Sequence, residues 1–250
     1  GNTAQSLAWA AQLEGIPCTV VVPEAAPRAK TDAALAYGAE VVRFGASHVQ
    51  SWEKGYQLIA ERGLTLVHPY DDEMVIAGHG TIGLEILEDL PEVGAVLVPI
   101  GGGAISTGIA LAIKSVRPDV RVIGVEPALA TKMSQALAAG HPIEIPPSTT
   151  IADGLRAPHV GAINLELAQR YLDGVVQVSD DAITCAVGLL LQRAKLMVEP
   201  SGAATVGALL EGVVDLPPDT ITVAVLSGGN MDRAKLVDFL TAAKPANHPR

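Results

Sequence analysis

Ala95-Val96-Leu97-Val98-Pro99-Ile100-Gly101-Gly102-Gly103-Ala104-Ile105-Ser106-Thr107-Gly108 is the stretch whose reading decides the fold. An apolar run rich in valine stops at three glycines, and a small-residue helical pattern follows through Ile109, Ala110, Leu111, Ala112 and Ile113. That order predicts a buried strand, a tight turn and a helix. Three glycines remove every side chain from the turn, so backbone N–H groups can approach a ligand closely. The helix that opens next directs its free N–H groups and positive dipole end at the same place. An anion, a phosphate above all, is the expected occupant; a turn without a ligand is the plain alternative.

Working outward, the same alternation recurs. Toward the N-terminus, helices are expected from Ala4 to Leu13, with Asn2 or Thr3 as N-cap, from Arg28 to Tyr37 and from Val49 to Arg62. Strands are expected at Cys18–Val22, Ala39–Phe44 and Leu64–Pro69. Gly15, Gly38 and Gly63 close the helices. Residues 71–78 read as polar and irregular, a domain junction, before a helix from Thr81 to Leu90. Beyond the glycine turn, strands are expected at Val120–Glu126, Gly174–Val178 and Thr220–Leu226. Helices are expected at Lys132–Ala139, Asn164–Tyr171, Asp180–Met197 and Ser201–Glu211, with a last one ending at Leu240. Strict strand–helix alternation with short joints predicts parallel sheets with crossover helices: an α/β fold in two units, residues 1–69 and 70–240, with a tail over 241–250.

Composition narrows the function classes. At 250 residues the chain can bury a sizeable core, and with 49% hydrophobic but only 3% aromatic residues that core must be aliphatic. The net charge of −10 argues against a nucleic-acid partner, which would want a basic face. No apolar run reaches membrane-spanning length and no signal peptide opens the chain, so no membrane partner and a cytoplasmic location are expected. Cys18 and Cys185 lie in apolar surroundings and read as buried free thiols. The six histidines show no metal-ligand spacing.

Three polar-glycine elements fall at strand ends or at a helix start: Gly1-Asn2-Thr3, Gly101-Gly102-Gly103 and Ser227-Gly228-Gly229-Asn230. Ligands of open α/β sheets gather beyond the carboxyl ends of strands, so one ligand spanning the three is expected. A dinucleotide site is the competitor, since the next strand ends in the acid Glu126. Its fingerprint needs a third glycine where Ser106 stands.

The chain resembles the threonine and serine dehydratase and serine racemase family, pyridoxal-phosphate enzymes of fold type II, from Gly1 to about Asp232. The resemblance rests on Gly1-Asn2-Thr3-Ala4-Gln5, Tyr37-Gly38-Ala39-Glu40-Val41-Val42, Val67-His68-Pro69-Tyr70-Asp71-Asp72 and Gly80-Thr81-Ile82-Gly83-Leu84-Glu85-Ile86. It continues through the glycine turn, Gly124-Val125-Glu126, Thr150-Ile151-Ala152-Asp153-Gly154 and Leu226-Ser227-Gly228-Gly229-Asn230. It implies two three-layer units with mainly parallel sheets and pyridoxal 5'-phosphate as cofactor. The phosphate would be held by the N–H groups of Gly101, Gly102, Gly103, Ala104 and Ile105, and the ring hydroxyl by Asn2. Ser227 would face the pyridine nitrogen and leave it largely unprotonated, which favours elimination at Cβ over chemistry that needs a long-lived carbanion. The amides of Gly1, Thr3 and Ala4 would receive a substrate carboxylate. Glu199, before Pro200-Ser201-Gly202-Ala203, matches a family position without an assigned role.

The implied activity is α,β-elimination from threonine or serine, giving a 2-keto acid and ammonia, in a homo-oligomer. A racemase, a β-replacement enzyme of the cysteine-synthase kind and a non-catalytic binding module are the alternatives. The family's Schiff-base lysine lies upstream of Gly1, so no catalytic residue is expected within these 250 residues, and the chain is expected to be a fragment, inactive alone. Lys30, Lys54, Lys114, Lys195, Lys235 and Lys244 read as surface charges. Thr3 stands where close dehydratase relatives carry His. Some relatives bind a divalent metal at positions matching Glu126 and the Ala130 carbonyl; here Lys132 takes the place of the second acid. No metal is expected, with the Lys132 ammonium replacing the cation and pairing with Glu126.

Overall fold

The computed structural model describes residues 1–26, 28–46, 48–231 and 233–242. The chain divides into two units, residues 1–67 and 68–250.

In the first unit the order is α1 (Asn2–Glu14), β1 (Thr19–Val22), α2 (Arg28–Ala36), β2 (Glu40–Arg43) and α3 (His48–Arg62). β1 and β2 pair in parallel, Thr19 opposite Glu40 and Val22 opposite Arg43. A small aliphatic core of Ala8, Val20, Ala34 and Ala39 packs with Ala4, Cys18 and Val41. Gly15 ends α1 at φ 65°, a left-handed conformation that lets its N–H return to the helix. Three expectations are corrected. Gly1 is the N-cap of α1, which draws Asn2 and Thr3 into the first turn. Residues 64–69 form no strand, because no neighbouring strand pairs with them among the described residues; Leu66 and Val67 are each 39% exposed. Cys18 and Cys185 are free thiols, but half-buried rather than buried; burial nonetheless pushes the Cys18 thiol up.

In the second unit α4 (Glu73–Asp89), β3 (Ala95–Pro99), α5 (Ala104–Val116), β4 (Arg121–Pro127) and α6 (Lys132–Ala139) come first. After a 3-10 turn at Asp153–Leu155 follow α7 (Ala162–Tyr171), β5 (Gly174–Val178), α8 (Asp180–Leu189), α9 (Pro200–Glu211), β6 (Thr222–Ala224) and α10 (Arg233–Ala242). Four parallel strands run in the order β5-β4-β3-β6. Side chains alternate across a strand, and the two faces of β3 lead to different helices. Val96 and Val98 pack with Ile109, Ala110 and Ile113 of α5. Leu97 packs with Ile183 of α8 and with Ala204 and Ala208 of α9. The sheet therefore lies between two helical layers, with β3 wholly buried at the centre. Residues 243–250, with Lys244, lie outside the described residues, as do the side chains of Lys30 and Lys235. No helix among the described residues is long and apolar enough to cross a membrane.

Two further differences have local causes. Residues 73–78 are helical, with the Asp72 carboxylate accepting from the N–H groups of Met74 and Val75. Farther along α4, Gly83 is where that helix meets α5: a Cβ there would stand 2.9 Å from the Ile109 carbonyl. The helix expected to run to Met197 leaves α-geometry at a π turn, Leu190–Ala194, and Lys195 closes it at φ 62°. Val198 is buried with Ala186, Val187 and Leu190, and Glu199 must be extended ahead of Pro200. The chain has to turn inward there, although every residue from 189 to 195 favours helix.

Candidate functional site

The glycine turn is built by what surrounds it. Gly103 caps α5 at φ 113°, a conformation closed to ordinary side chains, and no side chain caps that helix. The first backbone bond of α5 runs from the Thr107 N–H to the Gly103 carbonyl, 2.9 Å. The N–H groups of Ala104, Ile105 and Ser106 precede it and have no carbonyl within the helix to meet. Gly101 lies against the 3-10 turn: a Cβ there would be 2.9 Å from the Gly154 carbonyl. At Gly102 a Cβ would fall 2.1 Å from Cγ of Tyr70, so the tyrosine ring lies directly on the turn.

Tyr70 is itself fixed. Its carbonyl accepts from Asn164 Nδ2 at 2.6 Å, and the buried Asn164 places Oδ1 2.7 Å from Thr107 Oγ1 in α5. Its ring meets His68 edge-on at 4.6 Å and His159 at 5.9 Å between centroids. The Asp71 carboxylate accepts from the N–H groups of Ala162 and Ile163, capping α7. Segment 68–72 is thus a strap across the glycine turn. The sequence holds these residues in one motif but gives no sign that Tyr70 reaches Gly102.

His68 Nδ1 accepts from the N–H groups of Tyr70, 3.3 Å, and Asp71, 2.8 Å. An acceptor nitrogen requires the neutral ring. Burial pushes the His68 pKa down, with Asp71 opposing and His159 assisting. The unfolded chain then binds the proton more readily than the folded one, so stability is full above the ordinary histidine value and is lost as pH falls below it toward the folded value. We expect the urea midpoint to fall between pH 7 and pH 5. His68→Asn, whose side-chain oxygen can accept the same N–H groups, should flatten that slope. An unchanged slope in the variant would contradict the assignment.

The Ser227 loop stands at the end of the strand beside β3. Ala224 lies opposite Leu97, and the Val225 N–H donates to the Leu97 carbonyl at 3.0 Å. Gly101 and Ser227 therefore both follow the carboxyl ends of neighbouring parallel strands, and Ser227 is exposed. Glu199, 3% exposed, underlies this loop: its N–H donates to the Gly228 carbonyl, and its Oε1 is 2.7 Å from where a Gly228 Cβ would stand. Ser201 Oγ accepts from the Gly154 N–H at 2.8 Å, tying the 3-10 turn to α9. The Thr150–Gly154 segment is a brace: Asp180 accepts from Thr150 Oγ1 and the Ile151 N–H. Gly1, Asn2, Thr3 and Ala4 form the start of α1 in the first unit, with Gly1, which has no side chain to cap with, as the N-cap.

Lys132 departs from the expected pairing. It is fully buried, and its ammonium donates to carbonyls of Leu155 at 2.9 Å, Ala130 at 3.2 Å and Ile100 at 3.3 Å. Glu126, also fully buried, accepts instead from the N–H groups of Met133 and Ser134 and from Ser134 Oγ at the start of α6. Burial pushes the Lys132 pKa down to about 8, and the Glu126 charge pushes back through space. Among the surface lysines, Lys114 pairs with Asp173 at 2.7 Å.

A parallel sheet with a side-chain-free turn and an uncapped helix start beyond its central strand fits a phosphorylated cofactor. The family model described as pyridoxal-phosphate dependent enzyme matches residues 1–228. The chain belongs to that family. An L-threonine ammonia-lyase of Geobacter sulfurreducens is 45% identical over 233 residues, 93% of this chain and 58% of that protein. A serine racemase of Arabidopsis thaliana is 39% identical over 248 residues, 98% of this chain and 75% of that protein. The crystal structure of a threonine deaminase from T.th. is similar with a TM-score of 0.88 at 41% identity, covering 93% of this chain and 76% of the other. The chain thus spans little more than half of the ammonia-lyase it matches.

Proposed function

We propose that this family member is a pyridoxal-phosphate-dependent ammonia-lyase acting on threonine or serine, and that the glycine turn holds the cofactor's phosphate. The observation that carries the reading is the turn itself. No Cβ fits at Gly102, Gly103 takes a left-handed conformation, and three N–H groups of α5 point beyond the strand end without an acceptor in the helix. A phosphate there gains charge-assisted hydrogen bonds and the favourable end of the helix dipole.

Pyridoxal phosphate, when bound, supplies an electron-withdrawing ring that labilises the bonds at the amino acid's Cα. The chain's own residues bind and orient. Gly101, Gly102, Gly103, Ala104 and Ile105 hold the phosphate through their backbones. The Ser227 hydroxyl would be a neutral partner for the ring nitrogen, a setting that favours elimination at Cβ. The Asn2 carboxamide takes the ring hydroxyl. The N–H groups of Gly1, the N-cap of α1, and of Thr3 and Ala4 in its first turn would take the substrate carboxylate. None of the seventeen basic side chains is assigned as the amine that anchors the cofactor.

These 250 residues are expected to release no keto acid from threonine or serine in the presence of pyridoxal phosphate beyond what the free cofactor does. Mass spectrometry after borohydride reduction is expected to show no pyridoxyl-lysine. Stoichiometric labelling of one lysine together with turnover would contradict the expectation that these residues are inactive alone, and would leave the ammonia-lyase reading standing. A serine racemase is the second reading, supported by the 39% identical relative; keto-acid release against D-serine formation separates the two.

A further inference from the structure

Burying a lysine completely is costly unless its charge is compensated and each N–H finds an acceptor. Lys132 meets both conditions. An ammonium has three donors, and here three carbonyls receive them, each from a different segment: Ile100, Ala130 and Leu155. The compensating charge, Glu126, is fixed by the first N–H groups of α6 rather than by a direct bond to the lysine.

Two of the three carbonyls adjoin the cradle. Ile100 is the last residue before the glycine turn, and Leu155 ends the 3-10 turn. The residues beside them, Gly101 and Gly154, also lie against each other; a Gly101 Cβ would stand 2.9 Å from the Gly154 carbonyl. The Gly154 N–H in turn donates to Ser201 Oγ. The ammonium therefore gathers the two turns to one point from below. Carbonyl oxygens that converge on one point repel one another, and the attraction of a cation for each of them outweighs that repulsion.

We propose that Lys132 is a positioning residue: its buried ammonium sets the spacing between the glycine turn and the 153–155 turn, and so the shape of the anion cradle. The proposal rests on the cradle being the phosphate site only for its consequence in binding; the local effect on the two turns is independent of any ligand. The chain thus carries a cation of its own where three carbonyls converge.

The test is hydrogen exchange on the whole 250-residue chain without cofactor, comparing Lys132→Met with the parent. Exchange at residues 101–105 and 153–156 should quicken at least tenfold, while β3 at residues 95–99 changes less than threefold. The same variant should bind pyridoxal phosphate and inorganic phosphate at least tenfold more weakly. Unchanged exchange at the two turns, or an equal rise everywhere, overturns the proposal. Should Lys132→Met fail to fold, Lys132→Gln keeps an N–H donor without the charge and carries the same comparison. Loss of fold in both overturns the proposal, because the side chain would then hold the whole unit rather than these turns. Absence of phosphate binding by the parent chain overturns the cofactor reading instead, and the exchange result still decides the role of Lys132.

Discussion

Alanine at Gly108 should cost at least about 3 kcal/mol of stability, the upper end of what overpacking does to a close-packed interior. The added Cβ would lie 2.3 Å from the Ile76 carbonyl and 3.0 Å from the Gly80 N–H. Both are backbone atoms of α4, so no rotamer change relieves the contact and the two helices must separate. That separation would open the layer of Ile109, Ala110 and Ile113 against β3. Gly78→Ala, on the same helix pair, is the control. Nothing lies within 4 Å of its Cβ position, and a helix-interior glycine replaced by alanine gains about 0.5–1 kcal/mol. Urea unfolding of the two variants should move in opposite directions. A Gly108→Ala midpoint equal to the parent's would mean that α4 and α5 do not meet as described.

Gly102→Ala has its largest effect on the cradle. Its Cβ would be 2.1 Å from Cγ of Tyr70 and 2.4 Å from both Cδ atoms. These are ring atoms near the root of the side chain, which cannot swing aside while the Tyr70 carbonyl is held by Asn164. We expect pyridoxal-phosphate binding to weaken at least tenfold. Tyr70→Ala removes the clash, so the double variant should recover binding relative to Gly102→Ala alone. Contacting residues couple in this way, and independent ones simply add. Additive losses in the cycle would show that the ring does not lie on the turn.

What was legible in the sequence follows from how local each signal is. α6 and β5 have the boundaries expected of them, because each is bounded by turn residues that act within a few positions, such as Gly140 and Ser179. The glycine turn and the helix after it were legible for the same reason. The start of α4 was not: Gly78 lowers helix propensity there, and the helix starts nonetheless because Asp72 caps the Met74 and Val75 N–H groups. Nor was the exit from α8, where Lys195 takes a left-handed conformation in the service of a buried Val198. Residues 64–69 have the composition of a strand, yet a strand exists only with a neighbour to pair with.

In the candidate site, the close approach at the glycines was readable and the groups that approach them were not. Glycines at a strand end announce a close approach, whatever approaches. That the approaching group at Gly102 is Tyr70, and at Gly101 the Gly154 carbonyl, depends on residues far away in the chain. Lys132 is the plainest case. Its neighbours in sequence are a threonine and a methionine, which fit an exposed helix start as well as a core. Its burial is decided by carbonyls at residues 100 and 155.

The central claim is that the glycine turn is a phosphate site for pyridoxal phosphate that works without a covalent anchor in this chain. Equilibrium dialysis of the 250-residue chain against pyridoxal phosphate, with inorganic phosphate as competitor and pyridoxal lacking the phosphate as control, tests it most directly. The account predicts saturable binding of one equivalent that inorganic phosphate displaces, and none of the unphosphorylated aldehyde at the same concentration. Equal binding of pyridoxal, or binding that phosphate leaves untouched, would contradict it.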